Sequence, residues 1–138
     1  MIESNNPENL VVAPVIYCAL SVSFGCELSA SKFAVEICEI TGCPPKIYSP
    51  KIGCEWIVDA VVAKQLRSWS LDEVLTILFF QIQTIKERIK LLITKYSGAV
   101  TIDIAVYNED DTYPALFLSK DIVNEIAFFN AQIGIDLV

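Results

Sequence analysis

Between residues 15 and 24 the even positions are Ile16, Cys18, Leu20, Val22 and Phe24, all apolar. The odd positions are Val15, Tyr17, Ala19, Ser21 and Ser23. A period of two predicts a strand with one dry face and one wetter face. Residues 56–64 predict a second strand, with Trp56, Val58, Ala60 and Val62 on one side. Ile57, Asp59, Val61 and Ala63 fall on the other. The cleanest alternation is Val100, Ile102, Ile104 and Val106 against Thr101, Asp103, Ala105 and Tyr107. Residues 113–118 predict a short returning strand, with Pro114 suited to an edge. Ile135-Asp136-Leu137-Val138 predicts a last strand.

Helical spacing appears three times. Ser29 is placed to cap a helix reaching Thr41, with Phe33, Ile37 and Ile40 as its apolar stripe. Gly42 stops it, and Pro44-Pro45 prevents a restart. Residues 46–54 hold Pro50 and Gly53 and read as a loop. Ser70 and Glu73 form a capping box ahead of one long helix to Tyr96. Its seam is Leu71, Leu75, Leu78, Ile82, Ile85, Ile89, Leu92 and Tyr96, which steps by four and three. Such a seam can zip a coiled-coil dimer or lie across a sheet. Val74, Ile77, Phe79 and Phe80 widen the apolar face, which favours the sheet. Ser119 caps a third helix carrying Ile122, Ile126 and Phe129, and Gly134 ends it.

These elements predict an α+β fold in the order β-α-β-α-β-β-α-β. The expected architecture is a single mixed or antiparallel sheet of 4–5 strands, with three helices packed mainly on one face. Residues 1–10 read as a flexible tail and residues 11–138 as one domain. The first nine residues are polar and acidic, unlike a signal peptide. Residues 10–28 are apolar but hold Pro14, Gly25 and many β-branched side chains, so a buried strand fits better than a membrane span.

Composition adds three points. Apolar residues make up 54% of the chain, enough for a well-buried core and an apolar patch besides. The net charge of −7 disfavours nucleic acid and anionic membranes and favours basic proteins or cations, although solubility alone would also explain it. The five cysteines, Cys18, Cys26, Cys38, Cys43 and Cys54, are odd in number and form no C-x-x-C pair. That profile predicts free thiols in a reducing, cytoplasmic setting. With no histidine in the chain, metal binding is not expected.

Several phrases, taken in order, resemble a known family. They are Ile40-Thr41-Gly42-Cys43-Pro44-Pro45, then Trp56 opening a strand, then the helix start Leu71-Asp72-Glu73-Val74-Leu75. The chain closes on Asp121-Ile122-Val123-Asn124-Glu125-Ile126-Ala127 and Ile133-Gly134-Ile135-Asp136-Leu137. Together they resemble the bacterial family catalogued as domain of unknown function 4279, over roughly residues 16–138. The resemblance implies a compact α+β domain and brings neither an activity nor catalytic residues with it.

The search for chemistry excludes more than it finds. Serine nucleophiles need a base, and neither histidine nor a G-x-S-x-G motif is present. No glycine-rich phosphate loop occurs among five glycines. Cys26, near a helix start, could carry a lowered pKa, but a free cysteine is most often a packing residue. Asp59 and Asp103 could sit on adjacent strands of the sheet face opposite the helices, with Tyr17, Ala19, Ser21, Ser23, Val61, Thr101 and Tyr107. Two close carboxylates suit acid–base work or a cation, and two ordinary surface aspartates are the plainer reading. Tyrosines and negative charge also suit a protein interface.

The expectation is therefore a non-enzymatic binding protein without a cofactor. Its most concrete form is a bacterial immunity protein that neutralises a cognate toxin by docking an acidic surface on a basic partner. The expected binding residues are Tyr17, Asp59, Asp103, Tyr107, Glu109, Asp110 and Asp111. Nucleic acid and membrane are not expected partners, and the chain is a monomer or a homodimer. The alternative is a small enzyme or ligand-binding domain using the paired carboxylates.

Overall fold

The computed structural model describes residues 11–49, 55–108 and 110–138. The tail expected at residues 1–10 lies outside them. The elements run β1 (Val15–Phe24), α1 (Glu27–Thr41), β2 (Lys46–Tyr48), β3 (Trp56–Arg67), α2 (Leu71–Gln81), α3 (Lys86–Lys95), β4 (Ala99–Tyr107), α4 (Lys120–Phe128) and β5 (Gln132–Leu137). The described strands form one sheet in the order β2-β3-β1-β4-β5. β1 sits in the middle and pairs antiparallel with β3 and β4. β2 is antiparallel to β3, and β5 is parallel to β4, so the sheet is mixed.

The alternation in β1 sets the layers. Ile16, Cys18, Leu20, Val22 and Phe24 are all buried and join one core with Phe33 and Ile37 of α1 and Leu71, Leu75 and Leu78 of α2. α1 and α2 pack on β1 and β3, α3 packs on α1, and α4 on α2. The opposite sheet face carries no described helix. Gly42, with φ of +77°, ends α1 by returning its N–H to the Cys38 carbonyl, a left-handed turn that glycine makes without a Cβ clash.

Four helices are present among the described residues where three were expected. The long helix read from Ser70 to Tyr96 divides at residues 82–85. There Ile82 and Ile85 donate to Phe79 and Ile82, three residues back, in tight turns. Three β-branched residues, Ile82, Thr84 and Ile85, lower helix propensity at that point. The apolar seam runs on regardless: Ile82 and Ile89 are both buried, so each half packs down while the axis breaks. The seam thus lies within the core of a single chain, with Val74 and Phe79 buried beside it, while Ile77 and Phe80 of the expected wider face are exposed.

The element order also needs correcting. Residues 46–48, read as loop, form β2 at the sheet edge. Residues 113–118, read as a strand, make only one bridge, Ser70 to Ala115. Pro114 has no N–H to give a ladder. α1 starts at Glu27 with Cys26 at its cap position, three residues before the expected Ser29. The capping box is half-formed. Ser70 Oγ accepts from the Glu73 N–H, while the Glu73 carboxylate turns to Ser68 Oγ at 2.7 Å.

β3 runs to Arg67, beyond the expected 64, and its register slips twice against β1. Leu20 lies opposite Val61 while Ser21 lies opposite Asp59, so Ala60 is an extra residue. Such a bulge reverses which side the following residues face. Val61 and Ala63 therefore join the helix side, and Val62 moves to the open face.

Candidate functional site

The open face is the side of the sheet that carries polar residues. Cross-strand neighbours share a face. The register therefore places Tyr17, Ala19 and Ser21 of β1 with Asp59 of β3, Thr101 and Asp103 of β4, Tyr48 of β2 and Gly134 and Asp136 of β5. At the centre lies a connected polar group. Ser21 Oγ donates to Asp59 Oδ1 at 2.7 Å, and the Tyr48 hydroxyl donates to the same oxygen at 3.3 Å. Asp59 is 7% exposed and Ser21 3%, unusually dry for a face with no helix over it.

Asp103 stands on β4, opposite Ala19, with β1 between it and Asp59, so the two acids are not on adjacent strands as expected. Burial raises the Asp103 pKa above the ordinary range, the Ser21 hydroxyl lowers it, and Asp59 and Asp136 add further upward pressure. A serine has one proton to donate, and Ser21 gives it to Asp59. Burial also raises Tyr17, with help from Asp59 and Asp103. Tyr48 is pushed up to about 12 by burial and then by the same two acids. Both phenols therefore stay protonated at neutral pH, and that of Tyr48 donates to Asp59. No described lysine or arginine forms an ion pair with Asp59 or Asp103. Lys46 faces Asp59 across the strands, but its ammonium sits over the Tyr48 ring, 5.1 Å from the centroid.

Of the residues expected at a binding face, the fold gathers Tyr17, Asp59 and Asp103. Tyr107 is on the same face at the far end of β4, opposite Val15. Asp110 and Asp111 lie past that strand end, where Asp110 Oδ2 accepts from the Val12 N–H at 3.4 Å. The distance along β4 from Asp103 to Tyr107 is about 13 Å, so the acidic turn is a rim feature. Glu109 lies outside the described residues. Val61, expected here, is on the helix side. Sequence reasoning missed Tyr48, hidden in a presumed loop, and the influence of Asp136. The Lys46-Ile47-Tyr48 alternation was their only local signal.

A cleft of about 460 Å³ opens beside Asp59, where β2 stops and the outer edge of β3 runs on without a strand partner among the described residues. Tyr17, Pro45, Val62, Ile82 and Ile85 contribute to its walls. Asp59 reaches it, and Asp103 does not. No group of three or more candidate metal ligands occurs among the described residues. Cys18 is buried, with its thiol pushed up to about 12 by desolvation. Cys26 is exposed, and the Ser29 hydroxyl holds its pKa down. No described helix is long and apolar enough to cross a membrane.

No curated protein and no solved structure gives a match to the chain. A family model, Domain of unknown function (DUF4279), matches residues 46–138, from β2 to the end of β5. The matched segment omits β1, yet β3 and β4 pair through β1 and not with each other. The structural unit is therefore larger than the matched stretch. With its closing phrases on α4 and β5 and its Trp56 opening β3, the chain belongs to the family described as Domain of unknown function (DUF4279).

Proposed function

We propose that this is a non-enzymatic binding protein that docks its acidic sheet face on a basic partner. Its most concrete form is a cytoplasmic immunity protein that neutralises a cognate toxin. The observation that carries the reading is the Asp59–Ser21–Asp103 group. Two carboxylates share one sheet face, Ser21 gives its proton to Asp59, and no described lysine or arginine forms an ion pair with either acid, so both are short of a counter-charge. An arginine or lysine from a partner would relieve that shortage. Tyr17 and Tyr48 supply flat, amphipathic surface beside it. The test is capture of the product of the neighbouring upstream gene, with rescue on co-expression. Binding should weaken as salt rises, and Asp59→Asn with Asp103→Asn should abolish it. Capture that is indifferent to both salt and the double substitution would overturn the reading.

A second reading, a small-ligand or enzyme domain, draws on the cleft beside Asp59. Its volume lies within the range of ligand sites. Paired-carboxylate chemistry would need both acids in that cleft, and only Asp59 lines it. The docking reading is preferred for that reason.

A further inference from the structure

The sheet has two edges, and they differ. β2 is three residues long, and the part of β3 beyond it is bulged and carries Lys64 and Arg67. Short strands, bulges and basic side chains are the usual protections against edge pairing. β5 has none of these. It is six residues long, pairs without interruption with β4, and contains no proline or basic residue. Its outer edge leaves backbone N–H and C=O groups without strand partners among the described residues.

The helix side of β5 is also poorly covered. Ile133, Ile135 and Leu137 lie opposite the buried Ile102, Ile104 and Val106, yet they are 39%, 41% and 61% exposed. Ile135 and Leu137 join Tyr113, Pro114 and Leu116 around an apolar cleft of about 460 Å³. Tyr113 and Leu116 are themselves exposed. These side chains leave roughly 500–600 Å² of apolar surface open, a large part of the ~800 Å² per partner in a standard interface. Burying the bare strand edge supplies more.

We propose that β5 pairs antiparallel with β5 of a second copy of this chain, joining two sheets into one of ten strands. A two-fold axis through Gly134 keeps both sets of helices on the same side. In that register Ile133 meets the partner's Ile135, and Gln132 meets the partner's Asp136. Glycine meets glycine at the axis, where no side chain obstructs. The two Asp136 carboxylates, the only charges on β5, stay apart. That charge pattern favours a second copy over an acidic or basic peptide. The apolar rows lie on the helix side, so the acidic open face stays free for another partner.

Light scattering on the eluting full chain, at micromolar and at roughly 100-fold higher concentration, tests this. The expected mass rises from 15.3 kDa towards twice that value. Two bodies of charge −7 repel, so the dimer should strengthen with added salt, opposite to docking on a basic partner. Ile135→Lys should hold the chain monomeric. Leu116→Ser, outside the sheet, should weaken the dimer at least 10-fold with circular dichroism unchanged. Hydrogen exchange at the outward amides of residues 132–137 should slow as concentration rises. A monomer throughout, or a dimer indifferent to both substitutions and to exchange protection, would overturn the proposal.

Discussion

Removing the hydroxyl at the centre of the open face is the most direct test of its electrostatics. Ser21→Ala deletes a 2.7 Å bond to the Asp59 carboxylate at a position 3% exposed. A hydrogen bond to a charged group contributes about 1.5–3 kcal/mol, above the ~1 kcal/mol of a neutral bond. Asp59 would keep the Tyr48 hydroxyl, at a longer 3.3 Å. The substitution is therefore expected to cost about 2 kcal/mol at pH 7, a Tm loss of roughly 8 °C for a domain of this size. Urea unfolding with unchanged slope reads the free energy directly. In an Asp59→Asn background the same substitution removes a neutral bond, and its cost should fall to about 1 kcal/mol. Equal losses in both backgrounds, or a loss below about 0.5 kcal/mol, would refute the charge-assisted account.

Asp103, raised by burial, holds its proton at higher pH when folded than when unfolded. Stability should therefore rise as pH falls from 7 through the folded pKa, until the unfolded carboxyl titrates near ~3.9. Asp103→Asn should raise stability at pH 7 and flatten that limb; a profile identical to wild type counts against the burial argument. At Gly98, which precedes β4, a Cβ would clash with Val22 Cγ1 and come within 2.9 Å of Phe24 Cε1. Gly98→Ala should thus cost about 1–3 kcal/mol by thermal melting, and a neutral result would show that the site relaxes. Iodoacetamide at neutral pH should label Cys26 before Cys43 and leave Cys18 untouched until unfolding, and Ser29→Ala should slow Cys26. Peptide mapping over time decides it.

Strong alternation and strong caps were legible. β1 and β4 were readable because each has a clean dry face, and Ser119 caps α4 as its position predicts. The break between α2 and α3 was not legible. The seam of apolar residues continues through it, and no glycine or proline marks the spot. β2 was hidden because three residues are too few to show a period, and it exists through pairing with β3. The bulge at Ala60 was invisible because it is a property of two strands in register. Of the candidate site, the shared face of Asp59 and Asp103 followed from strand parity before the bulge, but their separation by β1 did not, because parity carries no strand order. Tyr48 did not follow, since only the β2–β3 pairing brings its hydroxyl to Asp59.

The central position of β1 has a consequence for the nascent chain. Its partners begin at Trp56 in β3 and at Ala99 in β4, so neither ladder can start until a long stretch has left the ribosome. Non-local pairing of this kind is slow, because the loop entropy is lost before contacts form. Meanwhile a ten-residue strand, apolar enough to be mostly buried at the end, waits in water. A strand synthesised ahead of both its partners is among the last to be fully enclosed, which makes the unfinished chain a natural client for chaperones during synthesis.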